Sequence, residues 1–223
     1  MMKKYKTILF DLDGTLLHTI PDLRTALNYA AKKMGLIDDY NDKEIESYIG
    51  SGKKVLVSKA TKKYNLKEEE IEKFSDIYSN YYSEHRYDLT KPFPYVKEVL
   101  IELKNRGYNI AVISNKPHID AVNCVKYYFG DIFDFVVGER HGIKVKPDPE
   151  IFYFMAEEFG IEKDKTLYVG DMIYDILFSK NVGMDVALCK FGYGDESLYN
   201  QATYLLDSYL DLLKILKGGI NNG

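Results

Sequence analysis

The sequence predicts an α/β fold: a doubly wound parallel sheet with a Rossmann-like core, and an all-helical cap domain inserted after its first strand. Three observations carry this. A short apolar run, Ile8–Phe10, stops abruptly at Asp11, Asp13, Gly14 and Thr15, as a buried strand does where it feeds a turn. From about Pro21 to Tyr87 helical spacing dominates, with no strand signal. From about Pro92 onward helical and strand patterns alternate. That rhythm implies parallel strands joined by helices lying on both faces of a sheet.

The elements follow in order. Lys6–Phe10 is the first strand. Leu23, Ala26, Leu27, Ala30, Ala31 and Met34 fall on one helical face, and Gly35 follows as a stop. Val55, Leu56, Ala60 and Tyr64 mark a second helix. Ile71, Phe74, Tyr78, Tyr81 and Tyr82 mark a third, whose tyrosine stripe reads as helical core. Val96, Val99, Leu100 and Leu103 form the next helix, closed by Gly107. Tyr108–Ile113 is a strand ending at Ser114-Asn115. A helix around Ile119–Val125 leads to a strand at Phe133–Val137. Asp148–Phe159 is helical with Gly160 as its cap. Thr166–Val169 is a strand ending at Gly170-Asp171, Ile173–Asn181 a helix, and Val186–Cys189 the last strand. Gly218–Gly223 reads as a frayed tail. Residues 1–17 and 88–223 are thus expected to form the core, and 18–87 the helical cap.

Composition narrows the function classes. A chain of 223 residues buries roughly 70% of its unfolded surface and needs no staples. Its net charge of −4 speaks against a general nucleic-acid binder. An anion site must therefore be built locally, from metal, lysine and backbone N–H groups. Cys124 and Cys189 are too few for a disulfide framework or a cysteine metal site, and read as free thiols in a reducing cytoplasm. The N-terminus is basic (Lys3, Lys4, Lys6), but the apolar stretch behind it, Thr7–Phe10, is too short for a signal peptide. No segment has the length of a membrane span.

Side chains two apart on an extended chain share a side, so Asp11 and Asp13 project together from the C-terminal end of the first strand, where open α/β sheets bind ligands. Two carboxylates forced together need a cation or a shared proton. A nucleophilic carboxylate beside an acid/base carboxylate and Mg²⁺ suits phosphoryl transfer through an aspartyl-phosphate. Three further polar groups stand at strand ends: Ser114 and Asn115; Lys146, in Lys-Pro-Asp-Pro before a helix; and Asp171 with Asp175, in Gly-Asp-Met-Ile-Tyr-Asp. Each alone has a plain structural reading as a turn, a solvated lysine or a helix N-cap.

In this order and at these places, the four groups closely resemble the four motifs of the haloacid dehalogenase-like hydrolase superfamily, over nearly the whole chain. The resemblance implies that Asp11 takes the phosphoryl group. Asp13 would protonate the leaving oxygen, then deprotonate the hydrolytic water, and its backbone carbonyl would bind the metal. Gly14 and Thr15 would bind the phosphate or substrate. Ser114 and N–H groups near Asn115 would hold phosphoryl oxygens. Lys146 would neutralise the charge around Asp11. Asp171 would bind Mg²⁺ together with Asp11 and Asp13, and Asp175 would support Lys146 or a water on the metal. Mg²⁺ is a hard cation that favours carboxylate, phosphate and retained water. Asp13 also separates the chain from the dehalogenases, which lack this second aspartate because halide departure needs no proton.

Finer strings are similar to bacterial phosphoglycolate phosphatases: residues 13–23, Ile-Gly-Ser-Gly at 49–52, Ser-Asn-Lys-Pro at 114–117 and Phe-Gly-Tyr-Gly at 191–194. One departure is His18, where that family usually has aspartate. Gly-Ser-Gly-Lys-Lys at 50–54 is not a phosphate-binding P-loop, because Ser47 occupies the required first glycine and Lys54 the Ser/Thr position. It reads as a cap turn in which Gly50 and Gly52 let backbone approach the substrate, with Lys53 a candidate contact. The implied partner is a small phosphorylated metabolite, phosphoglycolate first, with pyrophosphate, a nucleoside monophosphate or a sugar phosphate as alternatives. A phosphomutase or a non-catalytic phosphate-binding module ranks lower. The expected assembly is a monomer or weak homodimer in the cytoplasm, binding neither nucleic acid nor membrane.

Overall fold

In the computed structural model, residues 5–217 are described; Lys3, Lys4 and the tail 218–223, which carried expectations above, lie outside them. The chain divides into two compact units, one of residues up to Leu17 with Pro92 onward, the other His18–Lys91. The second crossing comes at Lys91–Pro92, beyond the boundary at residue 87 expected from the loss of helical spacing. Lys91–Pro92 is a short strand, β3, paired with a two-residue strand at the first crossing, Leu17–His18 (β2).

The α/β unit begins with β1, Thr7–Phe10, four apolar or β-branched residues, all buried. After β3 come α5 (Val96–Asn105), β4 (Asn109–Pro117), α6 (His118–Phe129), β5 (Phe135–Glu139), α7 (Glu150–Phe159), β6 (Thr166–Gly170), α8 (Ile173–Val182), β7 (Asp185–Cys189), β8 (Tyr204–Leu206) and α9 (Tyr209–Ile215). The sheet order is β5-β4-β1-β6-β7-β8, and every neighbouring pair is parallel. From β1 the chain builds outward to β4 and β5, then returns to β6 on the other side. The switch point of the topology is therefore the C-terminal end of β1, where such sheets open a crevice.

Burial explains the sequence pattern. Leu9, Ala111, Ile113, Tyr168 and Val186 form one core cluster with Ile151, Phe152 and Met155 of α7 and Phe178 and Val182 of α8. The alternate residues Ile8, Phe10, Ile110 and Val112 are also fully buried, with the Phe10 ring set edge-on to Phe133 at 6.1 Å. A strand buried on both faces reads as a continuous apolar run rather than an alternating one. Cys124 and Cys189 are both buried free thiols.

Several elements differ from expectation. β4 runs through Ser114 and Asn115 to Pro117, with its register against β5 shifting between Ile113 and Pro117. The sequence signal stopped at Ile113 because polar residues inside a buried strand break the apolar pattern. Val186–Cys189 is not the last strand: β8 and α9 follow. β8 has three residues, too few to show a period, while α9 starts at a capping box from Ser208 to Asp211 that was readable.

The helical unit consists of α1 (Ile20–Lys33), α2 (Asp42–Tyr48), α3 (Lys53–Thr61) and α4 (Glu68–His85). α1 buries Leu23, Ala26, Leu27, Ala30 and Ala31, and packs against α4, whose Phe74, Tyr78 and Tyr82 are buried. The tyrosine stripe is thus helical core, and the Tyr81 ring stacks on Tyr29 at 4.0 Å. α2 was not expected, although Asn41 and Glu44 form its capping box. Among the described residues, no helix is long and apolar enough to cross a membrane.

Candidate active site

The chain leaves β1 and folds back at once. The Leu16 and Leu17 N–H groups both donate to the Leu12 carbonyl at 2.9 Å, and Gly14 N–H donates to the Leu17 carbonyl at 2.9 Å. Asp11 N–H still donates to Val169 on β6, also at 2.9 Å, so Asp11 is anchored to the sheet while Asp13 lies in the turn. Gly14 has φ +86°, and a Cβ there would come within 2.2 Å of an Asp171 carboxylate oxygen. Only glycine allows the two loops to close this tightly. Tyr209 of α9 braces the turn by donating to the Thr15 carbonyl at 2.8 Å.

Asp171 stands at the end of β6, fully buried. Its Oδ1 accepts from the Thr15 hydroxyl at 2.7 Å, and its Oδ2 accepts from Tyr193 N–H at 2.8 Å. The Thr15 side chain, expected against the phosphate, is thus engaged with Asp171. Phe191-Gly-Tyr-Gly wraps the same carboxylate. A Cβ on Gly192 would lie 2.3 Å from the Asp171 Cβ.

Lys146 is the hub. Its Nζ lies 2.9 Å from Asp11 Oδ1 and 2.7 Å from Asp175 Oδ1, and donates to the Tyr168 hydroxyl at 2.8 Å. Three acceptors match the three ammonium protons. Asp175 is equally occupied, since its Oδ2 accepts the N–H groups of Asp171 and Met172 at 3.0 and 2.9 Å. Asn115 fixes the lysine's backbone, donating to the Lys146 carbonyl at 2.8 Å and accepting its N–H at 2.9 Å. Neither Tyr168 nor this amide pair was visible beforehand, because both contacts join segments far apart in sequence.

Asp13 has a different partner. Lys116 Nζ lies 3.1 and 3.4 Å from its two carboxylate oxygens. The two aspartates that spacing placed side by side therefore each rest on a separate lysine. Ser114 is buried on the same strand, and its hydroxyl accepts Lys116 N–H at 3.2 Å. Lys116 was not singled out from the sequence. Its place in Ser-Asn-Lys-Pro, one residue past the strand-end pair, was the available signal.

Asp11, Asp13, Asp171 and Asp175 set four carboxylates against the two ammonium groups of Lys116 and Lys146, so full ionisation would leave two negative charges in a mostly buried site. Asp11 is raised to about 7 by the balance of burial, which pushes it up, Lys146, which pulls it down, and Asp175 and Asp13, which push it up. Burial, then Asp175 and Asp11, raise Asp171 well above the ordinary carboxylate range. Burial opposes the charge on Lys146, but Asp11 and Asp175 outweigh it and hold the ammonium form more firmly than usual. Such a site is charge-matched to a divalent cation. Asp11, Asp171 and Asp175 each place one carboxylate oxygen within 4.8 Å of the others. Both oxygens of Asp175 are taken by Lys146, Tyr168 and backbone N–H groups, which leaves Asp11 and Asp171 as side-chain ligands. The Asp13 carboxylate lies outside this group, so any metal contact from Asp13 falls to its backbone carbonyl.

The remaining candidates belong to the helical unit. Gly50 and Gly52 adopt φ of +97° and +83°. Gly52 precedes α3, and the exposed Lys53 donates to Ser79 on α4 at 3.2 Å. His18 lies exposed in β2.

Comparison with known proteins agrees with this geometry. The family model described as haloacid dehalogenase-like hydrolase matches residues 8–189. A phosphoglycolate phosphatase of Haemophilus influenzae (strain 86-028NP) is 31% identical over 226 residues, spanning 97% of this chain and 100% of its own. Another, from Aquifex aeolicus (strain VF5), is 34% identical over 194 residues, covering 84% and 86%. A crystal structure described as a predicted phosphoglycolate phosphatase from Haemophilus somnus 129pt superposes with a TM-score of 0.89 at 31% identity, over 95% of this chain and 97% of that one.

Proposed function

This chain belongs to the haloacid dehalogenase-like hydrolases, and from that premise we propose that it is a Mg²⁺-dependent phosphatase of a small phosphorylated metabolite, with 2-phosphoglycolate as the preferred substrate. The observation that carries the reading is the separate pairing of Asp11 with Lys146 and Asp13 with Lys116. It gives two carboxylates two tasks at one strand end.

Asp11 attacks phosphorus. As the aspartyl–phosphorus bond forms, the bond to the substrate's ester oxygen breaks, and its electron pair leaves with that oxygen. Asp13, protonated, gives the leaving oxygen its proton. Asp13 then takes a proton from water as the water oxygen attacks the aspartyl-phosphate, releasing inorganic phosphate and restoring the Asp11 carboxylate. Ser114 and nearby N–H groups hold phosphoryl oxygens, and Lys146 offsets the charge between Asp11 and the phosphate. Asp11, Asp171 and the Asp13 carbonyl would hold Mg²⁺, which would supply charge neutralisation at the phosphoryl group. Asp175 acts through Lys146. Gly50, Gly52 and Lys53, the candidate contacts to the rest of the substrate, belong to the helical unit. The enzyme works in the cytoplasm as a monomer or weak homodimer.

Support for phosphoglycolate comes from the relatives of about 30% identity that carry that name, and from the charge inventory. The assigned charged groups serve the phosphoryl group or the metal, so few remain for a large polar leaving group. The test is a panel of phosphorylated metabolites ranked by kcat/KM, with Mg²⁺ present and with EDTA. Phosphoglycolate should lead and phosphate release should need Mg²⁺. Pyrophosphate, a hexose phosphate or a nucleotide exceeding it tenfold, about 1.4 kcal/mol of transition-state preference, would remove the substrate assignment and leave the Asp11 chemistry standing.

A further inference from the structure

Lys116 has no part in the scheme above except as the partner of Asp13, and its surroundings are built for that. Its side chain is 5% exposed, while that of Asp13 is 20% exposed. A lysine ammonium this deeply buried is costly unless it is paired. Its backbone is set by the register shift of β4 against β5 and by its N–H bond to Ser114. Opposite it on β5 stands Gly138, where a Cβ would come within 2.5 Å of the Lys116 carbonyl and 2.7 Å of the His118 Cα. Gly138 N–H also donates to His118 Nδ1 at 3.2 Å. A residue without a side chain thus lets β5 press on the Lys116–His118 backbone, and the Lys116 side chain reaches back 103 residues in sequence to Asp13.

We propose that Lys116 is a positioning residue for the acid/base carboxylate: its ammonium, touching both Asp13 oxygens, holds that side chain in the rotamer from which the proton passes to the leaving oxygen. The inference rests on the phosphatase reading. It does not depend on phosphoglycolate being the substrate. The step it governs is the cleavage of the bond between phosphorus and the ester oxygen, in which the Asp11–phosphorus bond forms and the departing oxygen keeps the bonding pair and takes the Asp13 proton. An alkoxide needs that proton as it leaves; 4-nitrophenolate, stable as the anion, does not.

The experiment compares three substrates in Lys116→Met, with Mg²⁺ saturating: phosphoglycolate, its carboxylate-free analogue 2-hydroxyethyl phosphate, and 4-nitrophenyl phosphate. The readout is kcat/KM, which reports steps through bond cleavage. General acid catalysis contributes about 10²–10⁴-fold. The two alkyl esters are therefore expected to lose at least about 10-fold alike, and the aryl ester less than about threefold. The kcat for the aryl ester is still expected to fall, because Asp13 also serves the hydrolysis of the aspartyl-phosphate. Lys116→Arg should recover much of the alkyl activity. Gly138→Ala should reproduce the alkyl-selective loss in weaker form, and it keeps the question answerable if Lys116→Met does not fold. Equal losses for all three substrates would mean a structural role and overturn the proposal. A loss confined to phosphoglycolate would also overturn it, because the lysine would then read the substrate's carboxylate. If wild type ignores phosphoglycolate but cleaves the other two, the substrate assignment fails and the comparison of those two still judges Lys116.

Discussion

Asp11 and Asp13 are two residues apart in sequence, yet their carboxylates rest on lysines 30 positions apart in the chain, Lys146 at 2.9 Å and Lys116 at 3.1 Å. Their substitutions should therefore fail differently. Asp11→Asn should abolish turnover while the protein stays folded, since an amide cannot form the acyl-phosphate. Wild-type-like turnover by the purified variant would remove Asp11 from the nucleophile's role. Asp13→Asn should lose on the order of 10²–10⁴-fold, and rapid quench with an activated aryl ester should still trap phosphoenzyme. A complete absence of phosphoenzyme would show Asp13 to be needed before proton transfer. Asp11, Asp13, Ser114 and Asp171 stand where an apolar run gives way to a turn, and they and Lys146 drew attention as site candidates through the resemblance of the four motifs taken together. Lys116, Tyr168 and the Asn115 amide could not be assigned partners that way. Their roles lie in contacts across 103, 22 and 31 positions, and one-dimensional pattern carries no pairing information.

At the scale of elements, the clearest gap between sequence and structure is α9. It is the last of the described elements, yet Tyr209 donates to the Thr15 carbonyl at 2.8 Å and is nearly fully buried. Tyr209→Phe leaves that carbonyl without this donor, which costs on the order of 1–3 kcal/mol, and kcat should fall with stability because the braced turn carries Asp13. A melting temperature and kcat both equal to wild type would show that the brace is idle. A parallel case holds the helical unit together. Asp22, buried near the start of α1, accepts the N–H groups of Leu89 at 3.0 Å and Thr90 at 2.8 Å. Asp22→Asn turns an amide donor toward those donors or forfeits one bond. A destabilisation of about 1–3 kcal/mol is expected, with faster hydrogen exchange at residues 88–90; unchanged exchange there would contradict it. The helices and strands themselves were largely readable, since buried parallel strands and amphipathic helices impose different periods. β8 and the polar end of β4 were not, one being too short and the other carrying functional residues inside a strand.

The stability of the whole molecule carries the electrostatic conflict of the carboxylates at the ends of β1 and β6, and this gives it a pH dependence of definite sign. Without metal, burial and the neighbouring carboxylates hold Asp11 at about 7, against about 3.9 for an aspartate in an unfolded chain. Below pH 4 both states are protonated at this group and it contributes no penalty. Between about 4 and 7 the unfolded chain gives up the proton while the native state keeps it, so the native state binds more protons and stability falls as pH rises. Asn cannot titrate, so the Asp11→Asn variant lacks this contribution. In EDTA, the stability of wild type relative to Asp11→Asn should therefore decline from pH 4 to 7 and level off above it. Saturating Mg²⁺ favours the ionised carboxylate, so the decline should vanish in its presence. Metal at 100 times its dissociation constant should also stabilise wild type by about 2.7 kcal/mol. Asp171→Asn, which removes a charge of the same site, should lose most of that Mg²⁺ response. Chemical denaturation across this pH range, with and without Mg²⁺, makes the measurement. A wild-type advantage that grows with pH in EDTA, or a slope that Mg²⁺ leaves untouched, would show that the two excess negative charges are not what the metal balances.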